Sequence, residues 1–313
     1  MKTLHHPACA WTHRARSVLW LMVCLAPLVG CDTQPEQEEA DGGLPLIPHK
    51  ADYECGQGTP EDYEEIYPSN IINVAGQYYV EEIGGVLTRF STVMFDKYSL
   101  GAFSEAYRDA GGLQWANKVL DIGTGTGALG LMAMGYGAKK VVATELDPVA
   151  VQNALYNAHN LGVSKSFEVR QVPWTDQGAF SVLAPEEQFD LILADLPQGY
   201  FEVQKRAYPE IETELDNAKE VFFSTDSGFC LLLSLMNGLN QHLAPDGKAW
   251  LAMKVLPGKN MMLNLARQNN MNVRLLWAAT QRRKTQGIRL IGDLAQEPDL
   301  SVNMDLYELT RSQ

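Results

Sequence analysis

Positively charged residues are scarce in this sequence. It has 25 Lys and Arg against 38 Asp and Glu, which gives a formal net charge of −13 at pH 7. A protein that binds the phosphate backbone of a nucleic acid needs clustered Lys and Arg. The dense basic run Arg282-Arg283-Lys284 is more typical of a solvated hairpin tip than of a contact with nucleic acid or lipid headgroups. The composition therefore disfavours nucleic acid as a partner.

The apolar run near the amino terminus is too short to cross a bilayer as a helix. It extends from Val18 to Val29, about a dozen residues, whereas a spanning helix needs about 20. Lys2, Arg14 and Arg16 precede it without any acidic residue. A basic region followed by a short apolar core is typical of a secretory signal peptide. Its removal would take the net charge from −13 to −16, because the three positive charges leave with it.

The sequence Leu28-Val29-Gly30-Cys31 ends this run and resembles the lipobox of bacterial lipoproteins. In that class a peptidase cuts before the cysteine, whose thiol carries diacylglycerol. The resemblance implies a signal peptide at residues 1–30, a lipidated Cys31, and a flexible tether at residues 31–60, which are rich in Pro, Gly, Glu and Gln. It implies a lipid-anchored protein of the bacterial cell envelope, on the periplasmic or extracellular face. The alternative is an uncleaved anchor, or a chance apolar run before a cysteine.

Few residues are available for disulfide, metal or nucleophilic chemistry. With Cys31 lipidated, the mature chain keeps Cys55 and Cys230, which fit either one disulfide or a surface thiol and a buried thiol. No Cys/His spacing indicates a metal site. The histidines of the body are scattered, and no Ser/His/Asp arrangement stands out. The sequence therefore predicts neither a metal site nor a hydrolase-type nucleophile.

From Lys118 onward, apolar strand-like runs alternate with helical segments. The predicted strands are KVLDIG, KKVVATELD, SFEVRQV, FDLILADLP, KAWLAMKVL, VRLLWAAT and VNMDLYELT. Helical patterns follow the first, second, fourth and fifth of these strands, and this alternation with apolar strands implies a parallel sheet covered on both faces. We expect the last two strands, joined by the basic turn, to form an antiparallel hairpin. Residues 61–112 are predicted to form an N-terminal subregion and residues 113–313 the main domain.

A glycine-rich turn follows the first of these strands and opens a helix. Asp121 is followed by a loop with glycines at 123, 125 and 127, and Glu145 ends the next strand 24 residues after Asp121. Glycines there let the backbone turn sharply and approach a ligand closely. An acid at that distance accepts hydrogen bonds from ribose hydroxyls. Dinucleotide folds instead prefer GxGxxG with a phosphate-facing helix, so this pattern favours a ligand without a phosphate at the loop.

Residues VLDIGTGTGALGL and ATELDPVAVQNALYNAHNLG resemble the cofactor motifs of class I S-adenosylmethionine-dependent methyltransferases. The resemblance extends over roughly residues 85–310. It implies a Rossmann-like, doubly wound, mostly parallel seven-stranded sheet with an antiparallel C-terminal hairpin. It places Asp121 near the methionine part of S-adenosylmethionine and Glu145 on the ribose. The loop residues that complete the predicted cofactor site are Gly123, Thr124, Gly125 and Gly127.

Several further residues are assigned to the cofactor by the same resemblance. Leu146 follows the ribose acid directly, and Trp174 lies after the third strand, where it would stack on adenine or else close the edge of the core. Upstream, Phe95, Asp96 and Tyr98 lie where related enzymes fold a segment over the methionine end. These assignments are expectations from the family and not from spacing alone.

The fourth strand ends in ADLPQGY, which is similar to the (N/D)-P-P-(Y/F) site of methyltransferases that act on amino or amide nitrogen. The release-factor glutamine and ribosomal RNA guanine methyltransferases belong to that group. Asp195 keeps the polar acceptor of the motif and Pro197 its rigid turn, although Asp195 could also be a purely structural acid at the strand end. Leu196 and Gln198 depart from the pattern, and Tyr200 could supply an aromatic ring two positions later.

The sequence thus predicts a membrane-tethered methyltransferase that acts on a nitrogen or another heteroatom of a small molecule, peptide or protein. Asp195, Pro197, Gln198 and Tyr200 would line the acceptor side. The alternative is a non-catalytic lipoprotein that uses the same fold to bind a ligand or a partner. The departures in the acceptor motif favour this alternative, whereas the complete cofactor motif opposes it.

Lipidation at Cys31 is directly testable by metabolic labelling. Expression in a bacterial host with radiolabelled or alkyne-tagged palmitate should label the protein, because the acyl chains of the lipoprotein anchor derive from membrane fatty acids. Cys31→Ala should abolish the label, while Cys24→Ala, within the apolar run, should retain it. Label that survives Cys31→Ala would contradict the lipoprotein assignment.

Overall fold

The computed structural model describes residues 74–91, 93–173, 178–196, 229–253, 256–278, 288–290 and 304–312. The predicted signal peptide, Cys31, Cys55 and the tether lie outside these residues, as does the basic run at 282–284. None of the helices in the described part of the chain combines the length and the apolarity that a membrane span requires.

The described residues form ten strands and five helices. In chain order they are β1 (Val74–Val80), β2 (Gly85–Phe90), α1 (Lys97–Asp109), β3 (Lys118–Ile122), α2 (Ala128–Gly135), β4 (Lys140–Glu145), α3 (Pro148–Asn160), β5 (Phe167–Gln171), β6 (Phe189–Ala194), α4 (Phe229–His242), β7 (Leu243–Met253), α5 (Leu256–Gln268), β8 (Met271–Trp277), β9 (Ile288–Leu290) and β10 (Asp305–Arg311).

Seven of these strands form the main sheet, in the order β5-β4-β3-β6-β7-β10-β8. The neighbouring pairs from β5 to β7 are parallel, and β10 is antiparallel to both β7 and β8. This arrangement confirms the predicted mostly parallel sheet with antiparallel C-terminal strands. Since β3, β4 and β6 are neighbours and parallel, the residues at their carboxyl ends lie along one edge of the sheet.

Both faces of the main sheet are covered by helices. Val119 and Leu120, adjacent on β3, belong to two different hydrophobic clusters, because successive side chains of a strand point to opposite faces. The first cluster contains buried residues of α1, α2 and α3, and the second contains buried residues of α4 and α5. The fold is therefore doubly wound, as the alternation of strands and helices predicts.

A second, three-stranded sheet has the order β2-β1-β9. Its residues Tyr78 and Leu87 are fully buried in the first cluster of the main sheet. β2 and β9 are not among the predicted strands. β8 and β10 pair antiparallel as predicted, but the chain between them contains β9, which pairs with β1. The last two strands of the main sheet are thus neighbours without being a simple hairpin.

Candidate cofactor and acceptor site

The loop between β3 and α2 contains three glycines with left-handed backbone. Gly123, Gly125 and Gly127 have φ angles of 68°, 55° and 84°. L-amino acids with a side chain avoid this region, so these positions require glycine. Gly127 also has little space, since a Cβ there would lie 3.2 Å from a Leu131 side-chain carbon and 3.3 Å from the Ala154 Cβ. The predicted sharp turn is present, and it brings the backbone close to its neighbours.

The loop is tied to the end of the adjacent strand β4. The backbone N–H groups of Gly123 and Thr124 both donate to the Thr144 carbonyl oxygen, at 2.9 and 3.1 Å. The Gly127 N–H donates to the Thr124 carbonyl oxygen at 2.8 Å. These bonds hold the loop against the strand that carries Glu145.

Asp121 is fully buried beneath this loop. Its Oδ2 accepts hydrogen bonds from the Thr124 hydroxyl at 2.6 Å and from the Gly130 N–H at 3.0 Å. Its Oδ1 is buried and has no hydrogen-bond partner among the described residues. Burial raises the pKa of Asp121 to about 6, although its two hydrogen bonds act in the opposite direction. One oxygen of this carboxylate thus shapes the loop while the other can accept a donor.

Glu145 at the end of β4 is half-buried and faces the same loop. Its Oε2 accepts from the Gly125 N–H at 2.8 Å, and its Oε1 accepts from the N–H groups of Leu146 at 2.8 Å and Asp147 at 3.1 Å. Burial raises its pKa above the usual value despite these three bonds. Leu146 therefore contributes a backbone donor to the carboxylate of Glu145.

Asp147 is a fourth acid at this edge, which the sequence reading missed. It is 2% exposed and caps α3, where its Oδ1 accepts from the Val149 N–H at 2.8 Å. Burial raises its pKa to about 7, and repulsion from Glu145 acts in the same direction. The signal was available, because Asp followed by Pro before an apolar helical pattern is a typical helix start.

Asp195 follows β6, the other neighbour of β3, and is half-buried. Its carboxylate contributes to raising the pKa of Asp121, so the two acids lie within electrostatic reach. Leu196 is buried, with a side-chain carbon 4.0 Å from where a Cβ on Gly123 would lie. The first departure from the acceptor motif thus packs under the cofactor loop. Trp174, Pro197, Gln198 and Tyr200 lie outside the described residues.

The segment before α1 lies against the loop at Gly125. The Met94 carbonyl oxygen lies 3.6 Å from where a Cβ on Gly125 would be. Phe95 instead stacks on Tyr78 with ring centroids 4.2 Å apart, and Asp96 accepts from the Ser99 N–H at the start of α1. The side chain of Tyr98 is not described. At Gly125 the neighbours from this segment are thus the Met94 carbonyl oxygen and a Val93 side-chain carbon.

This donor and acceptor set fits S-adenosylmethionine better than a nucleotide phosphate. The buried unpartnered Oδ1 of Asp121 suits an ammonium group, and three neighbouring carboxylates favour a cation over a phosphate. Glu145 suits ribose hydroxyls, but a carboxylate has about four acceptor positions and three are already used. Binding of two hydroxyls therefore requires release of at least one backbone contact.

The sheet order, with its antiparallel strand between β7 and β8, and the acid–glycine loop–acid arrangement define the class. Within this domain the chain is similar to class I S-adenosylmethionine-dependent methyltransferases. Residues 99–197 match a family model described as Ribosomal protein L11 methyltransferase (PrmA).

Three curated relatives agree with this class. The Ribosomal protein L11 methyltransferase of Bacillus pumilus is 36% identical over 94 residues, which are 29% of this chain and 30% of the relative. The tRNA1(Val) (adenine(37)-N6)-methyltransferase of Shewanella loihica is 31% identical over 162 residues, 48% of this chain and 56% of the relative. The Release factor glutamine methyltransferase of Cereibacter sphaeroides is 30% identical over 142 residues, 45% of this chain and 48% of the relative. The chain thus spans between 30% and 56% of the length of these relatives.

The raised acid pKa values predict that the ligand-free protein loses stability as pH rises. The pKa of Asp121 is about 6 and that of Asp147 about 7 in the folded state, so the folded state binds protons more tightly than the unfolded state. The free energy of unfolding therefore falls between about pH 4 and pH 7. Thermal unfolding should give a higher Tm at pH 5.5 than at pH 8.

Two variants check which group causes this dependence of Tm on pH, called the slope below. Asp121→Asn keeps an acceptor for Thr124 and Gly130 and should reduce the difference in Tm between the two pH values. Glu187→Gln is the control, because Arg170 holds the pKa of Glu187 near 2, well below this range. It should lower Tm at both pH values and keep the slope. An unchanged slope in Asp121→Asn would contradict the conclusion that the raised pKa of Asp121 contributes to the pH dependence of Tm.

Proposed function

We propose that this protein transfers a methyl group from S-adenosylmethionine to a nitrogen or another heteroatom of a protein, peptide or small molecule. The observation that carries this proposal is the set of carboxylates at one edge of the sheet. Asp121 and Glu145 flank the glycine loop, and Asp195 lies on the adjacent strand end. Cofactor-binding and acceptor-binding groups are therefore neighbours, as a single displacement reaction requires.

Each acid has a separate task in this proposal. Bound S-adenosylmethionine would supply an electrophilic methyl group on a sulfonium centre. Asp121 would accept the ammonium group at Oδ1, and Glu145 would accept the ribose hydroxyls. Asp195 would accept an N–H of the acceptor and thereby direct the nitrogen lone pair toward the methyl carbon. Catalysis would then derive mainly from proximity and alignment, since the substitution needs little acid–base help.

The choice of acceptor is supported by the relatives and by charge. Two of the three relatives are named for protein acceptors and one for a tRNA. The net charge of −13 opposes binding of a polyanion and favours a protein, peptide or small molecule. Replacement of the first motif proline by Leu196 and of the motif aromatic by Gln198 suggests an acceptor different from those of the relatives.

We also propose that the protein is anchored in the cell envelope through Cys31, on the strength of the amino-terminal sequence alone. A catalytic domain outside the cytoplasm would need a supply of methyl donor there. This difficulty favours the alternative, a non-catalytic lipoprotein that binds another ligand. The retained geometry of Asp121, the three glycines and Glu145 opposes it, because a site without its cofactor has no reason to keep them together.

Cofactor binding can be measured by calorimetric titration of the purified protein with S-adenosylmethionine. We expect binding, and Glu145→Gln should weaken it about tenfold or more, the factor that corresponds to one good hydrogen-bonded contact. Glu168→Gln is a matched control on the neighbouring strand β5, where Glu168 pairs with Lys140 and Arg170. It should leave the affinity unchanged. Absence of binding to the wild-type protein would favour the non-catalytic alternative.

The acceptor side can be tested by transfer of radiolabelled methyl groups to a peptide library, a protein extract and a tRNA pool. Asp195→Asn should retain S-adenosylmethionine binding and lose about a hundredfold in transfer, the cost typical of misplaced reacting groups. Asp190→Asn is the control on the same strand, at the opposite edge of the sheet, where Asp190 accepts from Asn117 and Lys118. Full transfer by Asp195→Asn would contradict its role, and label confined to tRNA would overturn the acceptor class.

A further inference from the structure

Two buried asparagines lie one turn apart on α3. Asn153 and Asn157 are both fully buried. They lie within the second segment that resembles a cofactor motif, but neither is among the predicted site residues. Asparagine is unfavourable inside a helix and costly to bury without hydrogen bonds. Since both lie buried on the same helix face, we expect their side-chain amides to have hydrogen-bond partners elsewhere in the fold.

Both side chains bind the backbone of β2, the outer strand of the small sheet. The Asn153 Oδ1 accepts from the Phe90 N–H at 2.9 Å, and its Nδ2 donates to the Thr88 carbonyl oxygen at 2.7 Å. The Asn157 Oδ1 accepts from the Thr88 N–H at 2.8 Å, and its Nδ2 donates to the same carbonyl at 2.9 Å. The two side-chain amides thus make the hydrogen bonds that a neighbouring strand would otherwise make to the backbone of β2.

Of the two asparagines, only Asn157 also forms a hydrogen bond to the glycine loop. Its Nδ2 donates to the Thr126 carbonyl oxygen at 2.8 Å. Thr126 precedes Gly127, the N-cap of α2, so its carbonyl has no donor within that helix. The Gly130 N–H belongs to the first turn of α2, where amides lack helical acceptors, and it donates to Asp121. Asn157 therefore supplies a donor to a carbonyl that the helix does not satisfy.

The same strand leads directly to the segment above the loop. β2 ends at Phe90, and Val93 and Met94 follow it and lie against Gly125, at 4.0 and 3.6 Å from where a Cβ would be. Asn157 thus holds the loop through Thr126 and, through Thr88, holds the strand that carries the segment covering that loop. The contact joins both walls of the cofactor site.

We infer that Asn157 is a positioning residue, which fixes the glycine loop relative to the small sheet in the geometry that binds S-adenosylmethionine. The inference rests on the proposed function for the identity of the ligand. The role in loop geometry does not depend on it. Asn153 is equally buried and also binds Thr88, but it makes no hydrogen bond to the loop. A comparison of the two residues therefore separates positioning of the loop from general stabilisation.

Alanine substitution at the two positions provides a matched comparison. Asn153→Ala and Asn157→Ala should both lower Tm, since each leaves the Thr88 carbonyl with one donor fewer. At a temperature where both variants remain folded by circular dichroism, Asn157→Ala should weaken S-adenosylmethionine binding about tenfold by calorimetry, and Asn153→Ala by less than about twofold. Equal loss in both variants, or no loss in Asn157→Ala, would overturn the inference.

Hydrogen exchange separates this inference from the proposed function. In the ligand-free protein, the Gly127 and Leu131 amides, which close the loop and the first turn of α2, should exchange faster in Asn157→Ala than in Asn153→Ala. If Asn157→Ala does not fold, the inference is tested by hydrogen exchange of the wild-type protein with and without S-adenosylmethionine. Addition of S-adenosylmethionine should slow exchange at Thr88 and Phe90, which bind the asparagines. Unaltered exchange in these comparisons would overturn the inference, whereas absence of S-adenosylmethionine binding alone would overturn the proposed function.

Discussion

The buried carboxylate of Asp121 is the constraint on which the rest of the site depends. It lies on β3, an interior strand of the main sheet, where a charge is costly, and two hydrogen bonds from the following loop and helix offset part of that cost. To make those bonds the chain must turn back within a few residues, which requires left-handed glycines. The Gly130 N–H is then directed to Asp121, and the Thr126 carbonyl accepts its hydrogen bond from α3.

The accumulation of acids at this edge has a functional consequence. Asp121, Glu145, Asp147 and Asp195 lie on or beside adjacent strand ends. Burial raises the pKa of the first three, and repulsion from neighbouring acids raises the pKa of Asp121 and Asp147 further. Such a cluster destabilises the empty protein at neutral pH and favours a cationic ligand. Clusters of perturbed acids in a cleft are typical of binding and catalytic sites, where stability is lower than the fold would otherwise allow.

The small sheet completes the site, although it lies before the cofactor motifs in the chain. Its outer strand is held by asparagine side chains, and the residues that follow it cover the glycine loop. Leu196 lies near the same loop at Gly123. Segments far apart in sequence thus contact the loop, and we expect a substitution in any of them to alter the geometry of the loop.

Local patterns in the sequence determined the strands β3 to β6, the helices between them, the glycine turn and the acids Asp121, Glu145 and Asp195. Apolar runs, helix caps and glycines act within a few residues, so they are visible without a fold. Tertiary structure alone decided that β9 pairs with β1, that β2 binds α3, and that Asn153 and Asn157 serve as its partners. Backbone pairing and buried side-chain amides between distant segments leave no local period in the sequence, because any residue can supply the backbone groups that they bind.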